Sequence, residues 1–71
     1  MPSHFLGIYV ALYDYTPQSE QELPLQEGDL LYVLEQSEEG DWWNAKKHTL
    51  LADDEPEGLV PCNYLEEVSL V

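Results

Sequence analysis

The 71-residue chain has one cysteine, two basic residues and no long apolar run. Cys62 has no partner for an internal disulfide, and a small domain so poor in cysteine suits a reducing, cytoplasmic compartment better than a secreted one. Lys46 and Lys47 face fifteen acidic residues, giving a formal charge of -13. Phosphate backbones and anionic lipid surfaces are held mainly by Lys and Arg, so neither nucleic-acid binding nor direct membrane binding is expected, and basic partners are favoured. No basic segment followed by an apolar one lies near Met1, and no stretch approaches the roughly 20 apolar residues of a membrane span. The length allows one small domain with a net stability of only a few kcal/mol, too little chain for a large catalytic cleft.

What the chain does have is enough apolar content to fold, 44% of its residues, arranged in short runs with turn chemistry between them. That pattern suits several strands, not helices of ten or more residues. The first run is Ile8 to Tyr13. Thr16 to Glu22 is polar and carries Pro17, so it reads as a long irregular or hairpin-like loop. Leu23 and Leu25 flank Pro24 on an extended segment and share one side. Gln26-Glu27-Gly28-Asp29 places glycine where a tight turn needs positive φ. Leu30 to Glu35 is a strand with Leu31 and Val33 on one face and Leu30, Tyr32 and Leu34 on the other. Gln36 to Asp41 is a polar loop, and Trp42 to Lys47 is the next strand, with Trp43 and Ala45 opposite Trp42 and Asn44. His48 to Glu57 is a long connection whose acidic part, Asp53-Asp54-Glu55-Pro56-Glu57, is expected to be mobile. Gly58 to Pro61 is a short strand, Cys62-Asn63-Tyr64 a single helical turn, and Glu66 to Val71 a tail or last strand.

Chemistry on this chain is sparse. Asp53-Asp54-Glu55 lacks the fixed spacing and raised pKa of a catalytic carboxylate pair, and Cys62 and His48 make no convincing nucleophile pair. His4 belongs to a frayed end, and Cys62 reads as a half-buried inert thiol. The acidic segment lacks the alternating oxygen-ligand spacing of a calcium loop, and Pro56 interrupts it. No enzymatic activity, metal or cofactor is expected.

Three segments instead carry flat side chains: Ala11-Leu12-Tyr13-Asp14-Tyr15, Trp42-Trp43, and Gly58-Leu59-Val60-Pro61-Cys62-Asn63-Tyr64. With the acidic loop and the Leu23/Leu25 pair followed by Glu27-Gly28-Asp29, these runs stand in the order of an SH3 domain, which the chain resembles over Ile8 to Val68. The resemblance implies a small, all-β, partly open barrel of about five antiparallel strands with one short 3-10 turn. Residues 1–7 would form an N-terminal extension, 8–68 the domain and 69–71 a C-terminal tail. Alternation and resemblance together give a core of Ala11, Leu23, Leu25, Leu31, Val33, Ala45, Val60 and Leu65.

The resemblance also implies a ligand. A proline-rich polyproline II helix has three residues per turn and no internal hydrogen bonds, so it docks into aromatic grooves at little entropic cost. Tyr13 and Tyr64 would wall one pocket; Tyr15, Trp42, Pro61 and Tyr64 would wall the next. Asn63 would supply a side-chain hydrogen bond. Glu20 and Glu22, with Glu39 and Asp41 from the facing loop, would receive a ligand Arg or Lys. Trp43 is expected to cover the sheet surface away from the groove. A folded partner such as ubiquitin is the alternative occupant, although that subset tends to have Phe where Tyr64 stands. A narrower resemblance, carried by Phe5-Leu6-Gly7-Ile8-Tyr9 and the lengthened acidic loop before Gly58, is to the N-terminal SH3 domains of fungal cortical-actin and endocytic adaptors. It implies a monomeric module of a larger scaffold at the cell cortex or actin patches.

Overall fold

The computed structural model describes residues 4–49 and 55–68. Five strands follow one another: β1 (Gly7–Ala11), β2 (Leu30–Gln36), β3 (Trp42–Lys47), β4 (Glu57–Pro61) and β5 (Leu65–Glu67), with a 3-10 turn over Cys62–Tyr64. They form one antiparallel sheet in the order β4-β3-β2-β1-β5. Among the described residues there is no α-helix.

Turn chemistry sets the reversals. Gly28 has φ 92° and Gly40 has φ 79°, a left-handed conformation that costs a residue with a Cβ about 1 to 2 kcal/mol. Gly28 N–H donates to the Ala11 carbonyl at 2.9 Å, and the Asp29 carboxylate accepts from the Gln26 N–H at 2.8 Å. The first bond pins the turn before β2 beside the end of β1, and the second closes the turn itself.

The long segment between β1 and β2 folds back as a hairpin-like loop. Tyr15 and Leu25 exchange backbone hydrogen bonds of 2.9 and 3.1 Å, and the loop then docks on β4. There the Leu23 N–H donates to the Leu59 carbonyl, and the Leu59 N–H to the Gln21 carbonyl, each at 2.8 Å. Gly58 makes the approach possible: a Cβ there would lie 2.9 Å from the Gln21 carbonyl oxygen and 3.2 Å from the Leu23 nitrogen. With its outer edge occupied in this way, β4 does not offer an open ladder.

The core is Ala11, Leu23, Leu25, Leu31, Val33, Ala45, Val60 and Leu65, with Tyr9, Tyr15, Trp43 and Tyr64 packed against its margin. These are the eight residues expected from alternation and resemblance. One residue departs from the simple pattern. Tyr32 points away from this core yet is 8% exposed, because a second small cluster covers the outer face of β2. The Phe5 ring lies 5.2 Å from the Tyr32 ring and the His48 ring 5.8 Å from it. The Tyr32 hydroxyl and His48 Nδ1 are 3.1 Å apart, and His48 Nδ1 is 3.3 Å from the Glu55 carboxylate. A strand alternating in sequence is thus covered on both sides in its middle third.

Of the acidic connection, Asp53 and Asp54 lie outside the described residues. At its described ends, Glu55 faces His48, the Glu57 carboxylate accepts from Asn44 Nδ2 at 3.0 Å, and the Lys47 N–H donates to the Pro56 carbonyl at 2.8 Å.

Candidate functional site

The end of β1, the loop after it, the start of β3 and the 3-10 turn meet on one side of the sheet. Leu12 N–H donates to the Tyr64 carbonyl at 2.7 Å, which draws the 3-10 turn against the residues that follow β1. The Cys62 N–H donates to the Asp41 carbonyl at 3.1 Å and its thiol contacts the Gly40 carbonyl, tying the same turn to the loop before β3. Within β3 and β4, Trp42 and Pro61 are register partners.

These ties line up four rings in the order Tyr13, Tyr64, Tyr15, Trp42. Their centroids are 5.4, 5.7 and 5.9 Å apart along the row, and the interplanar angles are 78°, 90° and 68°. Edge-to-face pairs at such distances contribute about 0.5 to 1.5 kcal/mol each beyond burial, so the row holds its own shape. Tyr13 is 57% exposed and Trp42 36%, whereas Tyr15 and Tyr64 are half-buried and Pro61 is buried as a floor. The row is therefore an apolar trough open to solvent. Asn63, next to Tyr64 in the 3-10 turn, is exposed. Trp43 turns the other way, with its ring 5.3 Å from Tyr9 and nearly perpendicular to it.

The acidic residues divide into two kinds. Glu20, Glu39 and Asp41 are exposed, while Glu22 is half-buried and bridged through its backbone to Leu59. The Glu22 carboxylate accepts from the Tyr15 hydroxyl, from the Gln18 N–H at 2.9 Å and from the Ser19 hydroxyl at 3.3 Å. Those bonds, the Tyr15 hydroxyl first, hold its carboxyl below the ordinary range against an opposing contribution from burial. The same bond, then burial and the nearby negative charge, pushes the Tyr15 phenol up to about 12. Sequence reading had placed Glu22 only among acids facing a ligand. Its tie to Tyr15 depends on how the loop closes, and no local spacing announces it.

Residues 11–66 match the family model described as variant SH3 domain. The chain belongs to the SH3 family. It is similar to the actin cytoskeleton-regulatory complex protein sla1 of Sclerotinia sclerotiorum, 58% identical over 66 residues that make up 92% of this chain and 6% of the relative. The SLA1 protein of Candida albicans is 47% identical over 75 residues, covering 100% of this chain and 6% of the relative. This SH3 domain thus spans about 6% of the length of those curated relatives. Among solved structures it is similar to the C-terminal SH3 domain of Myosin IB from Entamoeba histolytica bound to EhFP10(GEF) peptide. The TM-score is 0.76 at 32% identity, covering 93% of this chain and 98% of that one. The SH3 domain of yeast NBP2 gives a TM-score of 0.76 at 28% identity, covering 89% and 98%. SH3 domains are non-catalytic interaction modules, and the described residues hold no group of three or more His, Cys, Asp or Glu that could bind a metal ion.

Proposed function

We propose that this SH3 domain binds proline-rich, polyproline II segments that carry an Arg or Lys, as one module of a larger adaptor in cortical actin organisation and endocytosis. The observation that carries the reading is the unbroken, solvent-facing row Tyr13, Tyr64, Tyr15, Trp42 over Pro61. A stiff ligand ridge seats between rings without first being ordered, and Tyr13, Tyr64 and Trp42 each add a donor for a ligand carbonyl, the Tyr15 hydroxyl being given to Glu22. Tyr13 with Tyr64, and Tyr15 with Trp42, Pro61 and Tyr64, form the proline pockets, and Asn63 adds a hydrogen bond.

The negative rim recruits the basic residue. Exposed ion pairs are worth about 0 to 1 kcal/mol, so Glu20, Glu39 and Asp41, together with the half-buried Glu22, set orientation and on-rate more than affinity. The ring trough supports a small contact, below about 1,200 Å², and a Kd in roughly the micromolar range. The adaptor role and a place at the cell cortex rest on the names of the fungal relatives, and avidity from neighbouring modules would strengthen binding.

Titration with a proline-rich peptide carrying Arg tests this directly, with ubiquitin as a control ligand. The native domain should bind the peptide, and Trp42→Lys should lose at least about tenfold in affinity while its thermal melt stays cooperative. A folded Trp42→Lys variant of undiminished affinity, or tighter binding of ubiquitin than of any proline-rich peptide, would overturn the reading.

A further inference from the structure

Resting on that reading of the groove, we propose that the binding surface continues past Trp42 onto the outer face of β3, where Glu35 and Glu57 flank Asn44 and receive a second basic residue of the same proline-rich ligand. A register irregularity builds this face. Leu31 and Val33 point into the core, and plain alternation would aim Glu35 with them. The ladder between β2 and β3 shifts between Val33 and Glu35, so that Val33 stands opposite Ala45 and Glu35 opposite Asn44. Cross-strand partners share a face, and Asn44 lies on the side of Trp42, away from Ala45. The bulge thus turns one carboxylate from the core side to the outer side of the sheet, where Glu35 is exposed.

The same face is completed from β4. Trp42 stands opposite Pro61, Asn44 opposite Leu59 and Lys46 opposite Glu57, so the floor of the trough runs on from Pro61 to the half-buried Leu59 and Asn44. The exposed Glu57 carboxylate accepts from Asn44 Nδ2 at 3.0 Å, which orients the amide and leaves Asn44 Oδ1 as an acceptor. Among the described residues the Glu35 carboxylate has no hydrogen bond or ion pair, and Lys46 forms no ion pair with Glu57. Two carboxylates and an amide oxygen are thus assembled around one position, matching a guanidinium or ammonium, which carries donors and no acceptor. The charge of Lys46 closes the far end, so one further basic residue is received and not a run of them. The spacing suits a single ligand. Asn44 is two residues along β3 from Trp42, about 6.8 Å, and two residues of a polyproline II segment advance about 6.2 Å. The first basic residue goes to Glu20, Glu22, Glu39 and Asp41 beside Trp42, and the second, two positions farther from the prolines, to Glu35 and Glu57.

Three proline-rich peptides test the extension: one with a single Arg, one with a second Arg two positions farther from the prolines, and one of the same charge whose second Arg lies at the other end of the prolines. In calorimetric titration the native domain should bind the second peptide about threefold to fivefold more tightly than the first, and more tightly than the third. That ratio of second to first should fall in Glu35→Gln and in Glu57→Gln and reach about one when both are changed. Glu66→Gln removes an exposed charge from β5 and should leave the ratio as it is. A ratio that survives in the double variant, or falls as far in Glu66→Gln, would assign the gain to the field of the whole molecule and overturn the proposal. The native protein carries a second readout that needs no variant to fold: the Asn44 side-chain amide NMR signals should move further with the second peptide than with the first. Equal movement at saturation overturns the proposal. Equal affinity of the native domain for the first two peptides sinks the extension and leaves the groove standing, whereas binding of neither sinks both.

Discussion

At the scale of single residues, side-chain direction decides whether a substitution reports folding or function. Leu30 and Leu31 are neighbours on β2, one 42% and the other 0% exposed. Leu31→Ala should cost about 2 to 5 kcal/mol, enough to unfold much of so small a domain, whereas Leu30→Ala should stay within about 0.5 kcal/mol. Chemical denaturation of the two variants measures the contrast, and equal midpoints would refute the orientation of β2. The Tyr15 and Glu22 pair adds a pH signature. Glu22 titrates below its ordinary 4.5 in the fold, so its contribution is present above that value and is lost as pH falls through the lower, folded one. Tyr15 is raised from 10.0 to about 12, so its contribution is complete below pH 10 and fades as pH rises toward 12. Difference melts between the native domain and Glu22→Gln should thus reveal an acid-side component that the variant lacks. Parallel stability curves below pH 5 would argue against it.

At the scale of elements, most of the architecture was legible because each signal was local. Period-2 alternation put Leu31 and Val33 on one face, which resemblance assigned to the core, Gly28 marked a turn that does need positive φ, and Pro61 followed by Cys62-Asn63-Tyr64 marked the strand end and 3-10 turn. The aromatic row was legible only through resemblance, since alternation alone does not say which tryptophan faces outward. What could not be read came from contacts between distant segments. Tyr32 is buried by Phe5 and His48, 27 and 16 positions removed from it, and Glu22 is claimed by Tyr15 only after the loop closes. Gly58 is the clearest such case, because its small size serves the docking of the loop on β4 and not a turn. Gly58→Ala would drive a methyl into the backbone of Gln21 and Leu23, neither of which is the free end of a flexible side chain. The expected result is a loss of about 1 to 3 kcal/mol, with proline-peptide affinity falling too because the displaced loop carries Glu22. Unchanged stability and affinity in Gly58→Ala would show that the loop and β4 are not coupled as described.

At the scale of the whole molecule, the charge of -13 on 71 residues acts on stability and binding in opposite directions. Like charges crowded onto a compact surface repel, and unfolding spreads them apart, so the fold gives up stability to its own field. The same field attracts a cationic peptide and speeds its encounter. Raising ionic strength from about 0.01 M to 1 M shortens the screening length from about 30 Å to about 3 Å. Both effects must weaken together: the melting temperature should rise with salt while affinity for the Arg-bearing peptide falls, chiefly through a slower on-rate. A peptide with Ala in place of Arg should show little of the second effect, because ring contacts and proline burial are not screened. Calorimetry and titration across one salt series separate the two contributions. If the melting temperature fell with salt, self-repulsion would not govern this domain. If both peptides weakened alike, the negative rim would play no part in choosing the ligand.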